Sequence, residues 1–141
     1  MTQVRISRTS ILNSELFDSI TAIWNATGVS NPARADSFEA IQYNLDNGGM
    51  LLLASIDNVL AGVAWLSHDF RRLYIHHMAV APKQQNKGIG RMLLQEALSI
   101  AREKGYQAKL EVHATNAAAR HLYASCGFTD LDGYITMIRR G

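Results

Sequence analysis

The fold of this chain is decided by the stretch Ala79-Val80-Ala81-Pro82-Lys83-Gln84-Gln85-Asn86-Lys87-Gly88-Ile89-Gly90-Arg91. An apolar strand ending near Val80 leads through a polar loop with glycines directly into a long amphipathic helix. Such a loop aims backbone N–H groups at one point, and the helix dipole adds partial positive charge there. Glycine lets a ligand approach the backbone where a Cβ would block it. With Lys87 and Arg91 beside it, the loop has what a diphosphate needs.

Two common phosphate-binding loops do not fit this stretch. A P-loop requires Gly-Lys followed by Ser or Thr, and neither Gly88 nor Gly90 is followed in that way. A dinucleotide-binding fingerprint requires a small residue at position 93, where the chain has Leu93, and a parallel βαβ frame that the preceding segments do not supply. The two glycines alone therefore leave two interpretations open, a diphosphate site and a helix-starting turn without a ligand.

The composition is that of one compact globular domain. The 141 residues are 48% hydrophobic and 18% charged, which excludes a disordered chain. Cys126 is the single cysteine, so an internal disulfide is excluded and a reducing compartment is favoured. The longest apolar run, residues 50–54, is far shorter than the roughly 18 residues that span a bilayer. We therefore expect a cytoplasmic protein with a single domain over residues 1–141 and no membrane partner.

The charge is unevenly distributed along the chain. The net charge is only +2, yet the 26 residues between Asp69 and Glu96 contain no carboxylate. Five basic side chains lie in that stretch, namely Arg71, Arg72, Lys83, Lys87 and Arg91. A polyanion could bind there, and a solvated basic edge explains the pattern equally well. The stretch lacks the interleaved aromatic residues of a nucleic-acid-binding segment, so we expect no nucleic-acid partner.

Apolar spacing, capping residues and glycines predict the remaining elements. Their order is β-α-α-β-β-β-α-β-α-β-β, which is neither a doubly wound repeat nor a β-sandwich. Pro32 and Ser37 bracket the start of the second helix, and Gly28, Gly105 and Gly127 end the other three. The predicted strands cover residues about 3–8, 50–56, 59–66, 74–80, 109–113, 128–131 and 134–139, and the predicted helices about 14–26, 38–47, 91–104 and 116–125.

A second motif follows the strand near Glu111 at a fixed distance. It reads N-x-x-A-x-x-L-Y-x-x-x-G-F from Asn116 to Phe128, and it accompanies Q-x-x-G-x-G at Gln85–Gly90. With both motifs in this order and spacing, the chain resembles the GNAT superfamily of acyl-CoA-dependent N-acetyltransferases over residues about 50–140. The resemblance implies an α+β GNAT-like fold, with helices on both faces of a mixed, mostly antiparallel sheet.

The resemblance also implies how the chain would bind acetyl-CoA as a cosubstrate. The strand before the loop would pair through its main chain with the amides of the pantetheine arm, and the loop amides would hold the pyrophosphate. Asn116 matches a position that contacts the cofactor, although it could be a plain helix cap. The implied cofactor-binding residues are Met78, Ala79, Val80, Gln85, Asn86, Lys87, Gly88, Ile89, Gly90, Arg91 and Asn116.

Tyr123 and Met78 match the family positions that act on the thioester. Tyr123 would be the general acid that protonates the departing thiolate, and the N–H of Met78 would face the oxyanion. Proton transfer from tyrosine is chemically sensible, because the ordinary pKa values of a tyrosine and a thiol are about 10 and 8.5. Tyr123 could instead only pack its ring against the helix.

The general base is less well defined by the sequence. The amine must lose its proton to attack the thioester, and three residues could take that proton. We rank His76 first, Glu111 second and His77 third, because an imidazole pKa near 6.5 suits a base whereas Glu111 would need a raised pKa. Strand alternation places His76 and His77 on opposite faces, unless a bulge disturbs the count. Each of the three could instead be a packing or surface residue.

The expected reaction is direct transfer of an acetyl group from acetyl-CoA to a primary amine of a small molecule or a peptide, in a ternary complex. The alternative is a non-catalytic acyl-CoA-binding or sensor module of the same fold. We predict no metal site, because the five histidines are not clustered at ligand spacing. The sequence leaves the identity of the amine and a possible homodimer open.

Overall fold

A computed structural model describes residues 3–29 and 36–141 of the chain. The chain divides into two compact units, Met1–Glu111 and Val112–Gly141, and its assignment to a single domain over residues 1–141 stays a prediction. The strands are β1 Val4–Thr9, β2 Met50–Ile56, β3 Val59–His68, β4 Arg72–Val80 and β5 Gln107–Leu110, and the helices are α1 Ser14–Thr27, α2 Phe38–Asp46, α3 Ile89–Lys104 and α4 Ala117–Ser125.

The five strands form one sheet in the order β1-β2-β3-β4-β5. The first four strands pair antiparallel with their neighbours, and β4 pairs in parallel with β5 after the crossover through α3. Asp57 and Asn58 form the turn between β2 and β3, and both have the positive φ that a two-residue type I′ hairpin requires. This mixed, mostly antiparallel sheet confirms the predicted fold class.

Helices α1 and α2 cover one face of the sheet. Their apolar sides, including Ile20 and Ile41, pack in one buried cluster with Leu51 of β2 and Val63 of β3. Residues one position along each strand point to the opposite face, because strand side chains alternate. The burial of these side chains stabilises this layer by roughly 1.5–3 kcal/mol each.

Helix α3 covers the other face. A Cβ at Gly62 of β3 would lie 3.1 Å from Leu93 and 3.2 Å from both Ile89 and the carbonyl oxygen of Ala79, so glycine favours the close approach of α3 to the strand. Arg8 of β1 forms an ion pair with Glu96 of α3 at 2.9 Å on the same face. The helices therefore lie on both faces of the sheet, as predicted.

A bulge in β4 changes which residues face each helix layer. His77 and Met78 together lie opposite the single residue Ala64 of β3, and His77 has a φ of 48°. Ile75, before the bulge, is on the α3 face, whereas Ala79 is part of the core under α1. These two residues are four apart and would share one face of a regular strand, so the extra residue reverses the alternation.

Strand β4 extends further than its neighbour β5. The parallel pairing runs only from Arg72 to Ile75 of β4, and β4 continues to Val80. Beyond Ile75, no strand pairs with this side of β4 in the part of the chain that the structure describes. Its main-chain groups there lie along an edge that can pair with an extended ligand.

Helix ends agree with the predicted capping residues. Asn13 and Ser37 are the N-caps of α1 and α2, where their side-chain oxygens accept hydrogen bonds from main-chain N–H groups. Gly28 and Gly105 end α1 and α3 in the left-handed conformation. Pro32, which was expected to help begin the second helix, lies outside the described residues.

Three of the predicted strands differ from the structure. β5 ends at Leu110 rather than near His113, and residues 128–131 and 134–139 form no strands. The alternation in 134–139 satisfies the local requirement for a strand, but a strand also needs a neighbour with which to exchange hydrogen bonds. Large apolar side chains in this region, including Ile135 and Met137, are exposed. Within the described residues, no helix is long and apolar enough to cross a membrane.

Candidate functional site

The loop before α3 presents main-chain N–H groups at the surface. A 3₁₀ turn at Pro82–Gln84 leads to Asn86 and Gly88, whose φ angles are 64° and 84°, before α3 begins at Ile89. Gly88 is the N-cap of α3 and brings no side chain to cap the first-turn N–H groups. A Cβ at Gly88 would meet no other atom within 4 Å. The helix terminus therefore has open space beside it, as a bound diphosphate requires.

Two side-chain contacts hold this loop. Gln85 donates from Nε2 to the carbonyl of Val80 at 3.0 Å, which ties the loop to the end of β4. Lys87 donates from Nζ to Oε1 of Gln84 at 2.9 Å. Residues 85–88 are exposed, so the ammonium group of Lys87 adds positive charge at the surface of the loop.

The unpaired edge of β4 leads directly into this loop. His76 to Val80 keep their place in the sheet through β3, while the side toward β5 has no pairing strand among the described residues. The predicted pantetheine-binding positions Met78, Ala79 and Val80 all lie on this segment. The strand edge and the loop thus form one continuous surface of main-chain donors and acceptors.

His76 lies in a polar and aromatic cluster on β3 and β4. Its Nε2 is 2.7 Å from Oγ of Ser67, and its ring centre is 5.8 Å from that of Trp65. Burial lowers the pKa of His76, and the neighbouring His77 lowers it further, because a second positive charge would be repelled. His76 is therefore neutral at pH 7 and has a lone pair that can accept a proton.

His77 is held by residues from the α1 and α2 layer. Its Nε2 lies 2.9 Å from Oδ2 of Asp36, and the two side chains are only 17% and 11% exposed. Its main-chain carbonyl accepts a hydrogen bond from Nε1 of Trp24 at 2.9 Å, and the two rings meet edge to face at 5.0 Å. An ionised carboxylate only accepts hydrogen bonds, so Nε2 of His77 carries the shared hydrogen. The lone pair of His77 is then on Nδ1, and its rank below His76 and Glu111 as a base stays a prediction.

The bulge brings the two histidines to the same tryptophan. The ring centres of His76 and His77 lie 5.8 and 5.9 Å from that of Trp65. Simple alternation predicted opposite faces, and that expectation is corrected here because His77 adopts a left-handed backbone conformation. Both imidazoles therefore contribute to one aromatic surface.

Two partners of these histidines were missed in the sequence. Asp36 is 41 residues from His77 along the chain, and Ser67 is nine residues from His76. The contact between Ser67 and His76 could be predicted only by someone who knew the register of the β3–β4 hairpin, in which Ser67 pairs with Tyr74. Asp36 could be read only as an acidic residue beside the helix cap Ser37.

Glu111 lies just beyond β5 and is exposed. Its negative charge, like that of Asp36, favours the protonated form of His76 and so acts against the lowering of that pKa. Glu111 therefore influences the His76 imidazole through charge, and its role as a base stays a prediction.

The second unit contains Asn116 and Tyr123. Asn116 is the N-cap of α4, where its Oδ1 accepts a hydrogen bond from the N–H of Ala119 at 3.2 Å. Burial raises the pKa of Tyr123, and its ring centre lies 5.9 Å from that of Phe128. The phenol is therefore protonated at neutral pH and has a proton to donate. The cap explains Asn116 structurally, and its contact with a cofactor stays a prediction.

The described residues bear on the prediction that the chain has no metal site. Within residues 3–29 and 36–141, no group of three or more His, Cys, Asp or Glu side chains could hold a metal ion.

The chain is similar to several known acetyltransferases. It is 35% identical to an L-methionine sulfoximine/L-methionine sulfone acetyltransferase of Salmonella typhimurium over 77% of this chain and 65% of that protein. It is 34% identical to the L-amino acid N-acyltransferase MnaT of Escherichia coli over 76% of this chain and 64% of that protein. The chain thus spans less than two thirds of the length of each of these relatives.

The same similarity is found in solved structures. A GNAT family acetyltransferase from Elizabethkingia anophelis, solved with acetyl-CoA bound, aligns with a TM-score of 0.67 and 27% identity over 89% of this chain and 76% of that one. The family model for acetyltransferases of the GNAT family matches residues 15–128. With this match over most of its length, and with a β4 edge that leads into the loop at the start of α3, the chain belongs to the GNAT acetyltransferase family.

Proposed function

We propose that this protein is an N-acetyltransferase that transfers an acetyl group from acetyl-CoA to a primary amine. The observation that carries the proposal is the continuous main-chain surface from the unpaired edge of β4 to the start of α3. A linear ligand that has amides at one end and a diphosphate at the other fits this order of donors and acceptors. The pantetheine diphosphate part of coenzyme A is such a ligand.

We assign the binding of this cosubstrate to two segments. Met78, Ala79 and Val80 pair with the amides of the pantetheine arm, and the loop from Gln85 to Arg91 binds the diphosphate. Asn116 contacts the cofactor in addition to capping α4. Acetyl-CoA supplies the acetyl group as an activated thioester. The open space beside Gly88 supports the assignment of the loop, because a side chain there would compete with the ligand.

His76 is the proposed general base. Its lowered pKa keeps the ring neutral at pH 7, so it can take the proton of the amine as the nitrogen attacks the thioester carbonyl. The bulge removes His77 and Met78 from one-to-one pairing with β3, and the N–H of Met78 is the proposed donor to the oxyanion. Glu111 is the second candidate for the base.

Tyr123 is the proposed general acid. When the tetrahedral intermediate collapses, the C–S bond breaks, the sulfur leaves with the electron pair, and the phenol donates its proton to that sulfur. The amide bond is then complete, and the products are the acetylated amine and free coenzyme A. The raised pKa of Tyr123 means that the phenol is protonated at neutral pH and has a proton to give.

A small-molecule amine of the amino-acid type is the first acceptor to test. The two relatives with the longest matched stretches reported above act on L-methionine derivatives and L-amino acids, and they support this class. The aromatic surface formed by Trp65, His76 and His77 offers apolar contacts to a compact acceptor. Peptide N-termini are the second class, and both belong in one panel.

Binding is tested by calorimetry and thermal melting with acetyl-CoA, with adenosine 3′,5′-bisphosphate as the control ligand. At a concentration of 100 Kd, a specific ligand stabilises the fold by about 2.7 kcal/mol, which for 141 residues raises Tm by about 9 °C. Acetyl-CoA is expected to bind more tightly than the nucleotide control, which lacks the pantetheine arm and the second phosphate of the diphosphate. If acetyl-CoA does not bind at micromolar concentration, the proposal is wrong.

Turnover is tested by thiol release over a panel of amino acids, other small amines and peptides. Acetylated products identified by mass spectrometry would support the enzyme. Tight binding of acetyl-CoA without any product across the panel would instead favour the non-catalytic sensor module. The two experiments therefore separate the cofactor assignment from the catalytic one.

A further inference from the structure

The bulge in β4 depends on contacts from outside the sheet. His77 adopts a φ of 48°, a conformation that a residue with a side chain enters at a cost in free energy. Such a conformation persists only where neighbouring groups hold it. The Nε1 group of Trp24 holds the carbonyl of His77, and Asp36 holds its ring.

Helix α2 contacts the cluster around His76 at two points. Asp36 lies directly before the N-cap Ser37 and bonds to His77 at 2.9 Å. Further along α2, Oδ1 of Asn44 accepts a hydrogen bond from Nε1 of Trp65 at 2.6 Å. The position of α2 and the orientation of the aromatic surface are therefore mechanically connected.

The contact between Asp36 and His77 is better suited to orienting the His77 ring than to holding α2 on the sheet. A carboxylate that is only 11% exposed loses hydration, and an apolar pair of similar volume would hold α2 on the sheet at a lower desolvation cost. The carboxylate instead fixes direction, because the hydrogen bond between its Oδ2 and Nε2 of His77 requires a defined alignment of the ring. The contact thus selects one orientation of the His77 ring, beside the ring of His76.

We propose that Asp36 is a positioning residue for acetyl transfer: through His77 it holds the bulge of β4, and with it the ring of His76 and the main chain of Met78, in the reactive geometry. The inference rests on the proposed function of the site. Asp36 acts through His77 on two groups, the proposed base and the proposed oxyanion donor. The loop at Gly88 and its diphosphate contacts do not depend on it.

The test compares Asp36→Ala, Asp36→Asn and Glu39→Gln. Glu39 is an exposed carboxylate in the first turn of α2 and serves as the matched control for lost charge. We expect Asp36→Ala to lower kcat/KM for the amine at least tenfold, since a misplacement of about 1 Å can cost roughly 100-fold in rate. The Kd for acetyl-CoA is expected to change less than kcat/KM does, because the diphosphate contacts of the loop from Gln85 to Arg91 are retained. Asp36→Asn still offers an oxygen acceptor to Nε2 and is expected to recover most of the activity, and Glu39→Gln is expected to match the wild type.

Imidazole resonances give a readout that does not require turnover. In ¹H–¹⁵N spectra of the histidine rings, Asp36→Ala is expected to shift the signals of His76 as well as those of His77, whereas Glu39→Gln shifts neither. If Asp36→Ala does not fold, His77→Ala, which removes the donor to Asp36, is compared with His77→Gln, whose amide can still donate. The His76 ring signals are then expected to shift further in His77→Ala than in His77→Gln, and equal shifts would overturn the role of the hydrogen bond.

The outcomes separate this inference from the proposed function. If the wild type acetylates an amine and folded Asp36→Ala keeps kcat/KM within twofold, the positioning role is overturned. Equal losses in Asp36→Ala and Asp36→Asn overturn it as well, because they show that the hydrogen bond is not what matters. If the wild type has no activity, the proposed function fails, and unchanged His76 signals in Asp36→Ala then overturn the structural coupling too.

Discussion

Replacing Gly88 by alanine tests whether the ligand binds at the start of α3, and a second glycine with the same backbone conformation controls for the strain that the substitution introduces. Gly88 has a φ of 84°, and an added Cβ would meet no atom within 4 Å, so the substitution strains the backbone without a clash. A left-handed alanine costs roughly 1–2 kcal/mol. Gly28, at the end of α1, has a φ of 75° and equally open surroundings, so Gly28→Ala is a matched control.

The two variants are expected to be destabilised equally. Unfolding entropy for 141 residues is about 0.3 kcal/mol per kelvin near Tm, so a strain of about 1–2 kcal/mol lowers Tm by roughly 3–7 °C in each. Ligand binding is expected to differ, because only Gly88→Ala places a methyl group beside the N–H groups at the start of α3. We expect its Kd for acetyl-CoA to rise at least tenfold, which corresponds to about 1.4 kcal/mol, and that of Gly28→Ala to stay within twofold.

Calorimetric titration of both variants with acetyl-CoA, beside thermal melts without ligand, measures both quantities. Unchanged affinity in Gly88→Ala would show that the ligand does not approach the backbone there. An equal loss of affinity in Gly28→Ala would show that global strain, rather than the loop, controls binding. Either result would refute the reasoning on which the cofactor assignment rests.

Three further predictions concern the acid, the base and the bulge. Tyr123→Phe removes the proposed proton donor, so kcat is expected to fall roughly 100-fold in steady-state assays while the Kd for acetyl-CoA is unchanged; an unaltered kcat would exclude Tyr123 as the acid. The pKa of His76 is lowered, so just below pH 6.5 the folded protein keeps this ring neutral while the unfolded chain binds a proton on it. We therefore expect kcat to stay constant to below pH 6.5, and the free energy of unfolding to decrease as the pH falls below 6.5. In His76→Asn, the decrease of kcat at low pH that protonation of His76 causes is expected to disappear. If the decrease persists, another residue is the base. Trp24→Phe leaves the carbonyl of His77 without its indole donor and is expected to cost about 1–3 kcal/mol of unfolding free energy in urea titrations; a change below about 0.5 kcal/mol would contradict the importance of that bond.

Much of the fold could be predicted because its signals are local. The caps Asn13 and Ser37 and the stops Gly28 and Gly105 act on neighbouring main-chain groups, so the ends of α1 and α3 and the start of α2 follow from a few residues each. The closing strands could not be predicted in this way. Residues 134–139 alternate correctly, but the formation of a strand depends on a partner that no local pattern identifies.

The site was predictable in its main chain and not in its side-chain partners. The loop from Gln85 to Arg91 was identified because glycines and a following helix determine the backbone geometry within a few residues. Asp36 was missed because its contact with His77 depends on the bulge, and a bulge follows from the packing of both sheet faces rather than from the sequence of one strand. Ser67 was missed because its contact with His76 depends on the register of the β3–β4 hairpin.

The extra residue in β4 serves the site rather than the core. Ile75 and Ala79 face opposite helix layers although they are four residues apart, because His77 and Met78 together occupy one position of the sheet. Deleting one of the two would leave a regular spacing of three, which also places Ile75 and Ala79 on opposite faces, so Ala79, which is 6% exposed, would stay buried. What the deletion would remove is the arrangement in which two successive imidazoles meet the ring of Trp65. The core tolerates the shorter strand, and the paired histidines do not.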